Sequence, residues 1–427
     1  MISAGSMIVG KDPIGAAPAR GVGFRGGNWN NDNTNARVSD RNNAANTNDE
    51  RNNNNGGRLA NTSPPFCEFM KKIKDIYKTI ISKENLYLSA GMAAKGKRYK
   101  ASSSDFYFCL EEEIENLRAE LADGTYRHGA YREFTIHDPK DRVIAAAPFR
   151  DRVVHHAAHD VIEPVIDKTF IFHSYACRKG KGSHKALNAA ARYVKNNRFC
   201  FHGDIKKYFP NIDHAVLKGI IRERIEDARL LALLDEIIDS ANGLPSKDGG
   251  EKGKGLPIGN LTSQFFANLY LNELDHFLKS VLKVKCYIRY MDDFLAFAED
   301  KKRLEEIKCK TREFLKERLK LQLHEGKSQI YKTKNGIKFL GFRVFYGYKR
   351  LAAANVRRFK KRLAGFRFDF ENGGCDTGKI TASVRCWASH SQYADTFRLR
   401  KRIFESTQAS NKKFACLLKD ILLCSKN

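Results

Sequence analysis

Two adjacent carboxylates, Asp292 and Asp293, lie at the centre of the segment KCYIRYMDDFLAFAED. The β-rich arms on either side predict a hairpin that carries both acids at its tip. Adjacent carboxylates repel each other, so a turn that presents both of them favours a bound cation. A third acid, Asp204, ends the predicted strand RFCFHGDIKKYF. If that strand lies beside the hairpin, three acids converge on one point.

Three convergent carboxylates are typical of a two-metal phosphoryl-transfer site. Their oxygen atoms suit two Mg²⁺ ions held ~3.5–4 Å apart. One ion would activate a primer 3′-hydroxyl, and the other would hold a nucleotide triphosphate and its leaving pyrophosphate. Taken alone, an Asp-Asp pair is more often a solvated turn, so the flanking sequence has to decide between the two interpretations.

The charge balance of the chain points in the same direction. Its net charge is +27 and its pI is near 9.6. Such a balance most often indicates a partner that is a polymer of phosphates, and next most often a membrane surface. The alternative is that the charge only keeps the surface soluble. Residues 342–427 contain 19 Lys and Arg against 6 Asp and Glu, whereas residues 1–69 contain 7 against 6. The basic excess at the end of the chain is where a nucleic-acid duplex could be gripped.

Cysteine spacing and hydropathy indicate the cellular compartment in which the protein works. The 10 cysteines show no C-x-x-C spacing and no paired Cys/His cluster. This pattern favours reduced thiols and argues against a disulfide framework or a structural zinc site. No apolar run approaches the ~18 residues of a membrane span, and the amino terminus lacks the apolar core of a secretory signal. We expect a soluble cytoplasmic protein with no membrane partner.

Hydrophobic periodicity predicts strands interleaved with helices, and therefore an α+β fold. One helix is expected from about Met70, where Ile73, Ile76 and Ile80 recur at helical spacing. A second helix is expected over SSSDFYFCLEEEIENLRAEL, with its early Ser and Asp residues as candidate caps. Further amphipathic helices are predicted over TSQFFANLYLNELDHFLKSVL and DKKRLEEIKCKTREFLKERLKLQL, and basic helices after Gly347.

Several motifs in order resemble those of reverse transcriptases. YIRYMDDF looks like the Y-x-D-D box of that family, and the similarity extends over roughly residues 70 to 427. Six further segments match the family's motifs in the family's order: RVIAAAPFRDRVVHHA, SYACRKGKGSHKAL, DIKKYFPNIDH, GLPIGNLTSQ, LQLHEGKSQI and IKFLGFR. The resemblance implies an RNA-directed DNA polymerase that uses two Mg²⁺ ions, deoxynucleoside triphosphates, a template RNA and the resulting RNA–DNA hybrid.

The same resemblance implies a right-hand polymerase with fingers, a palm built on an antiparallel sheet, and a helical thumb. We expect fingers and palm over residues 70–346 and a basic helical thumb over residues 347–427. An Asn-rich segment, residues 1–69, would precede them as a disordered leader.

The motifs also imply roles for individual residues. Asp204, Asp292 and Asp293 would be catalytic and, with Ile205, would hold the metal ions. Lys327 matches the lysine that protonates the departing pyrophosphate. Three residues of the finger motifs are expected to contact the triphosphate and the template: Arg152, Arg178 and Lys181. The alternative is that these basic loops only hold RNA. Phe209 matches an aromatic gate against a ribose 2′-hydroxyl, the alternative being a core aromatic.

The fourth motif separates subfamilies. Ile258, Gly259 and Gln264 give the form I-G-x-x-x-S-Q, which looks like the reverse transcriptases of diversity-generating retroelements, whereas retroviral and group II intron enzymes usually carry Q-G-x-x-x-S-P. These three residues are expected at the nucleotide. A glutamine at the first position of this motif could hydrogen-bond the sugar of the nucleotide and penalise misplaced substrates. Ile258 takes that position here and has no hydrogen-bonding group, which predicts lowered fidelity. That subfamily copies a template-repeat RNA with errors at adenines and works with a small basic accessory protein.

Other functions stay open at this point. A group II intron-like, retron-like or phage-defence reverse transcriptase is the alternative within the same class. A catalytically silent RNA-binding scaffold is the alternative from a different class, and the intact acids argue against it. His155, His156 and His159 have a spacing that allows metal binding, but without a third ligand or an acid pair nearby, packing or RNA contact is favoured.

Asparagine makes up 13 of the 28 residues between positions 28 and 55. Changes at the first two adenines of the codons AAC and AAT give many residues and never a stop codon. The segment RGGNWNNDNTNARVSDRNNAANTNDERNNNNGGRLA therefore looks like a template repeat for a C-type-lectin-like variable domain. Our hypothesis is that residues 1 to about 65 are a translated template and that Met70 is a natural start. The alternative is an Asn-rich disordered arm that binds RNA.

Overall fold

The computed structural model describes residues 72–97, 101–137, 141–242, 251–374 and 376–423. The Asn-rich segment 1–69 lies outside these residues, so the expectations about it stay predictions. The described chain mixes helices with antiparallel sheets, which confirms the α+β class at that level. Within these ranges, no helix is both long enough and apolar enough to cross a bilayer.

The helices are α1 (Tyr77–Ile80), α2 (Lys83–Ala94), α3 (Ala101–Phe108), α4 (Leu110–Asp123), α5 (Phe149–Ile166), α6 (Ser183–Asn196), α7 (His214–Arg222), α8 (Ala228–Asp239), α9 (Leu261–His276), α10 (Lys301–Leu319), α11 (Ala353–Glu371), α12 (Thr377–Ser391), α13 (Phe397–Ser410) and α14 (Lys412–Leu423). The strands are β1 (Arg132–Ile136), β2 (Arg142–Ala146), β3 (Phe199–Asp204), β4 (Cys286–Tyr290), β5 (Asp293–Ala298), β6 (Gln329–Lys332), β7 (Ile337–Phe339), β8 (Phe342–Val344) and β9 (Lys349–Leu351).

Two compact units share these elements. Within the described residues the larger unit contains residues 72–340 and 344–347, and the smaller contains residues 341–343 and 348–423. The larger unit holds one continuous apolar core that runs from Ile73 to Leu323. The smaller unit is built around helices α11 to α14, as the basic helical pattern of the tail predicts.

The centre of the larger unit is a four-stranded sheet in the order β4-β5-β3-β6. Neighbouring strands are antiparallel throughout, and β4 and β5 form the predicted hairpin. Residues 294–297 of β5 are buried in an unbroken run, which is the pattern of a strand covered on both faces. Phe294 and Ala296 belong to the main core, whereas Phe297 packs on the opposite face against Tyr193 of α6, with ring centroids 5.7 Å apart.

Two of the predicted helices are each divided. The expected helix from Met70 becomes α1 and α2, because Ser82 caps α2 by accepting a hydrogen bond from Asn85 N at 3.2 Å. Ile73 lies outside both helices and bridges to Ile225 instead. The expected helix over SSSDFYFCLEEEIENLRAEL is interrupted at Cys109, and its Ser and Asp residues lie inside α3 rather than at a cap. The capping bond of Ser82 and the distant partner of Ile73 therefore outweighed the apolar spacing that predicted continuous helices.

Candidate functional site

Strand register brings the predicted acids together. Asp204 on β3 and Asp293 on β5 are direct cross-strand partners, and Tyr290 pairs with Asp293 across the hairpin. Directly opposed residues project from the same face of a sheet. Asp204, His202 and Asp293 therefore share the face opposite the main apolar core, because the intervening Gly203 pairs with the core residue Phe294.

Asp292 lies in the turn itself, after Met291, whose φ of +56° is unusual for a residue with a side chain. The pKa of Asp292 is raised to about 6, mainly by burial and also by the charges of Asp204 and Asp293, against the opposing effect of Lys327. Burial also raises the pKa of Asp293, although its hydrogen bond to His202 works in the other direction. The three acids are thus close enough to oppose one another's ionisation.

Each of the two strand acids holds a basic side chain. Lys327 Nζ donates to Asp204 Oδ1 at 2.8 Å, which brings the predicted proton donor to the acid site. His202 Nε2 lies 2.5 Å from Asp293 Oδ1. Burial lowers the pKa of His202, but the bond and charge of Asp293 outweigh it, so the net pKa is raised. The sequence interpretation missed His202, although its position two residues before Asp204 places it on the same strand face.

The donor chemistry suits a hard divalent cation. Three carboxylates and a main-chain carbonyl are oxygen ligands of the kind Mg²⁺ takes. Next to Ile205, Lys206 N donates to Gln322 O and His324 N donates to Asp204 O, so the carbonyl of Ile205 itself points away from that neighbouring segment. In the described part of the chain, no three His, Cys, Asp or Glu side chains are grouped closely enough to hold a metal ion.

The fourth motif is fastened to strand β2. Ile258 O accepts a hydrogen bond from Ala145 N at 3.2 Å, and Asn260 Nδ2 donates to Ala145 O at 3.0 Å. Gly259 has a φ of +117°, and a Cβ there would lie 2.8 Å from Ile144 Cγ2, so both conformation and space require glycine. The sequence interpretation missed Asn260, whose amide makes this attachment.

Gln264 occupies the first turn of α9 and faces the second finger motif. Its Oε1 accepts a hydrogen bond from Cys177 Sγ at 3.1 Å. Lys181 in the same motif donates to Phe172 O at 2.8 Å and lies over the Phe172 ring. Phe209 lies in a short turn five residues after Asp204, half-buried against the core beside Tyr208. All of these positions belong to the larger unit.

The two predicted arginines differ in availability. All five N–H groups of Arg178 are used within the protein: two bind the carboxylate of Asp167, and three bind the carbonyls of Asp167, Ile171 and Ser174. A triphosphate would have to displace one of these bonds, so the nucleotide contact predicted for Arg178 stays a prediction and is not part of the proposed site. Arg152 Nε is buried without a hydrogen-bond partner in the described residues, and burial lowers its pKa.

The histidine triplet of α5 packs rather than converging. His155 is buried and stacks on His128, with ring centroids 5.2 Å apart. His159 Nδ1 lies 2.9 Å from Asp160 Oδ1, and its ring meets the edge of Phe265. The favoured interpretation as packing residues therefore agrees with their surroundings.

Comparison with known proteins agrees with this geometry. Residues 137–344 match the family model described as reverse transcriptase (RNA-dependent DNA polymerase). The matched span contains the acid hairpin, Asp204 and the fourth motif. Residues 137–344, just under half of the chain, therefore match a reverse transcriptase domain, and reverse transcriptases are enzymes.

Its relatives include proteins encoded by introns. The chain is 31% identical over 214 residues to the group II intron-encoded protein LtrA of Lactococcus lactis subsp. cremoris, covering 49% of this chain and 34% of that protein. It is 27% identical over 289 residues to protein YkfC of Escherichia coli (strain K12), covering 58% and 75% respectively. It is also 24% identical over 218 residues to nuclear intron maturase 3, mitochondrial, of Arabidopsis thaliana, covering 44% and 30%. The chain thus spans about one third of the length of LtrA.

Proposed function

We propose that this protein is an RNA-directed DNA polymerase. The observation that carries the proposal is the register of β3 and β5, which sets Asp204 opposite Asp293 with Asp292 in the adjoining turn. A reverse transcriptase domain that keeps these acids together, despite the burial and the mutual repulsion that raise the pKa of Asp292, favours a working phosphoryl-transfer site over a silent scaffold.

Asp204, Asp292 and Asp293, with the carbonyl of Ile205, are the groups that would hold two Mg²⁺ ions. When bound, such ions lower the pKa of a primer 3′-hydroxyl and neutralise the charge on the triphosphate. In this proposal Lys327 gives a proton to the leaving pyrophosphate, and its Nζ lies 2.8 Å from Asp204 Oδ1, which supports the role. The remaining proposed contacts with the incoming nucleotide come from the finger motifs, the turn after β3 and the fourth motif: Arg152, Lys181, Phe209, Ile258, Gly259 and Gln264.

Primer extension on an RNA template, with a DNA primer and Mg²⁺, tests the proposal. We expect Asp292→Ala and Asp204→Ala each to lower the extension rate by at least about 1,000-fold, because each removes a ligand of the ions that neutralise transition-state charge. Glu299→Gln is the matched control, since Glu299 is an exposed acid that follows β5 directly and should leave the rate unchanged. A chain that binds RNA yet extends no primer would instead be a scaffold.

We propose further that the enzyme belongs to a diversity-generating retroelement, working with a template-repeat RNA and a small basic accessory protein. Two features of the sequence support this: the segment from Ile258 to Gln264, and the asparagine-rich tract between positions 28 and 55. The half-buried side chain of Ile258 offers no hydrogen bond to a nucleotide, so poorly seated base pairs would meet little penalty there.

Sequencing of the cDNA tests this assignment. Errors concentrated at template adenines would support it. We expect Ile258→Gln to lower the misincorporation frequency by about 10-fold, because an amide restores a hydrogen bond that only a well-placed nucleotide can make. Ile258→Leu, which keeps an apolar side chain, is the matched control and should retain the wild-type error frequency.

A group II intron-like role is the second candidate, and the similarity to the intron-encoded protein LtrA favours it. In that case the wild-type error frequency would be low and even across the four template bases. Neighbouring DNA also discriminates: a second copy of the 26–60 segment that differs mainly at Asn codons supports the retroelement, whereas flanking intron sequence supports the second candidate.

A further inference from the structure

Arg289 is a charged side chain sealed inside the larger unit. It lies on β4 one residue before the end of the strand at Tyr290, and its exposed fraction is 0%. Its cross-strand partner is the core residue Phe294, so Arg289 projects into the apolar core, on the face opposite the acids. Arginine is rarely found in such a place without a full set of partners.

Every N–H of Arg289 has a partner. Nε and Nη2 grip the carboxylate of Asp275 side-on, at 2.7 and 2.6 Å. Nη1 donates to Asn268 Oδ1 at 3.1 Å and to Met291 O at 3.3 Å. Nη2 also donates to Ser174 Oγ at 3.2 Å. Burial alone would lower the pKa of Arg289, but the charge and hydrogen bonds of Asp275 raise it, so the guanidinium stays charged.

These partners belong to three separate pieces of the catalytic region. Met291 is the first residue of the hairpin turn, and Ser174 begins the second finger motif. Asn268 and Asp275 lie seven residues apart on α9, on the helix face that also carries Gln264 four residues earlier. One guanidinium therefore bonds to the acid turn, to the helix of the fourth motif and to the finger motif.

Main-chain hydrogen bonds also join β4 to the second finger motif. Arg289 N donates to His173 O at 3.0 Å, and Tyr175 N donates to Arg289 O at 3.0 Å, so the finger motif lies as a short parallel strand along β4. Asn268 Nδ2 donates to Ala176 O at 2.6 Å. The next residue, Cys177, bonds to Gln264. The path from Arg289 to the proposed nucleotide contacts is thus continuous.

We propose that Arg289, held by Asp275, is a positioning residue that sets the acid turn relative to the nucleotide-binding segment 174–181. The inference rests on the proposed polymerase function. Arg289 touches no substrate, because it is fully buried and its five donors are all used within the protein. Its bond to Met291 O supports a turn whose positive φ is disfavoured for an L residue, and the same side chain fixes the segment that leads to Cys177 and Lys181.

Stability alone does not account for this arrangement. A buried ion pair is usually no better for stability than an apolar pair of similar volume. An apolar pair, however, has no donor for the carbonyl of Met291 or the hydroxyl of Ser174. The double variant Asp275→Leu with Arg289→Met should therefore keep the core filled but lose the bonds that join the acid turn to the finger motif.

Single-turnover primer extension, thermal unfolding, hybrid binding and amide hydrogen exchange test the proposal together. We expect the Asp275→Leu/Arg289→Met variant to lose about 100-fold in the single-turnover rate constant, taken below as kcat, since misplacement of reacting groups by about 1 Å can cost that much. Its affinity for an RNA–DNA hybrid should stay close to wild type, whereas its unfolding temperature should fall, because Met291 O, Ser174 Oγ and the hydroxyl of Tyr287 lose buried hydrogen bonds. Exchange should accelerate at residues 173–177 and 290–293. Arg289→Lys, which keeps the charge but not the fork, should lose about 10-fold in kcat.

The matched control is Arg224→Met/Glu273→Leu. Arg224 Nη2 lies 2.5 Å from Glu273 Oε1 on the same helix α9, at a pair that is separate from the turn and from the finger motif. This control should keep wild-type kcat and exchange. Wild-type kcat and exchange in Asp275→Leu/Arg289→Met would overturn the inference; if that variant does not fold, wild-type kcat in Arg289→Lys overturns it instead. A wild-type chain that extends no primer refutes the proposed function, whereas the exchange comparison still decides the role of Arg289.

Discussion

At the scale of single residues, the acid site is organised by basic neighbours. Lys327 bonds to Asp204, His202 bonds to Asp293, and Arg289 bonds to the β4–β5 turn that carries Asp292. Lys327 is half-exposed, whereas Arg289 is sealed in the core. Only the exposed cation is free to meet a substrate, which separates a residue that can move a proton from one that can only position others.

Lys327→Met tests the proton-donor role. We expect the single-turnover rate of primer extension to fall by about 100-fold, because pyrophosphate would leave without a positioned acid. The affinity for an RNA–DNA hybrid should not change. Lys218→Met is the control: Lys218 Nζ lies 2.6 Å from Asp239 Oδ2 in a comparable ion pair on α7. Equal rates for wild type and Lys327→Met would remove Lys327 from the mechanism.

At the scale of elements, the pairing of β3 with β5 depends on a residue without a side chain. Gly203 lies directly opposite Phe294, and a Cβ at position 203 would come within 2.2 Å of Phe294 Cζ. The phenylalanine ring occupies the space over the glycine. Because Asp204 and Asp293 are the next residues along the two strands, this packing sets the distance between the acids.

Gly203→Ala should lower the free energy of unfolding by about 1–3 kcal/mol, since an added methyl in a filled core forces its neighbours apart. The extension rate should fall as well. Adding Phe294→Leu to the Gly203→Ala variant replaces the ring by a smaller side chain. The double variant should recover part of the lost stability and part of the lost extension rate. Denaturant unfolding and primer extension measure the two effects.

Gly219→Ala is the control for this element. Gly219 is exposed in α7, and a Cβ added there would point into open space, so alanine should be neutral or stabilising by up to about 1 kcal/mol. Wild-type stability in Gly203→Ala would show that the strands can shift to accept the methyl, and that the close contact does not control the register.

At the scale of the whole molecule, charge is distributed unevenly between the two units. Residues 342–427, nearly all of which belong to the smaller unit, contain 19 Lys and Arg against 6 Asp and Glu. On α11 the residues Arg357, Arg358 and Lys361 are exposed, whereas Phe359 is buried and stacks on Trp387 at 3.7 Å between ring centroids. The buried aromatic pair packs inside the unit, and we propose that the exposed basic residues of α11 bind a phosphate backbone.

Replacing Arg357, Arg358 and Lys361 by Gln should weaken binding of an RNA–DNA hybrid. The slope of log K against log salt should become shallower by up to about 0.9 for each side chain that contacts a phosphate. Fluorescence anisotropy across a salt series measures the slope. Replacing the exposed Lys412, Lys413 and Lys419 of α14 by Gln removes the same charge and is the control. An equal change in both variants would indicate net charge rather than a binding face on α11.

Local patterns in the sequence determined much of this protein. The β-rich segments on either side of Asp292 and Asp293 predicted the β4–β5 hairpin, apolar spacing predicted α9 and α10, and the ordered motifs indicated the family that residues 137–344 match. These features depend on residues close together in the chain, where periodicity and turn chemistry act directly. The resemblance also named the three acids, although their roles stay proposals.

Contacts between distant parts of the chain decided the rest. Only the folded chain sets Asp204 opposite Asp293, uses up every donor of Arg178 within the protein, and surrounds Arg289 with Asp275, Asn268 and Ser174. A lone Arg or Asp in a sequence carries no record of its partner, because the pairing free energy depends on burial and on geometry that several elements build together. Tertiary structure alone therefore distinguishes an arginine available to a substrate from one that holds the site in place.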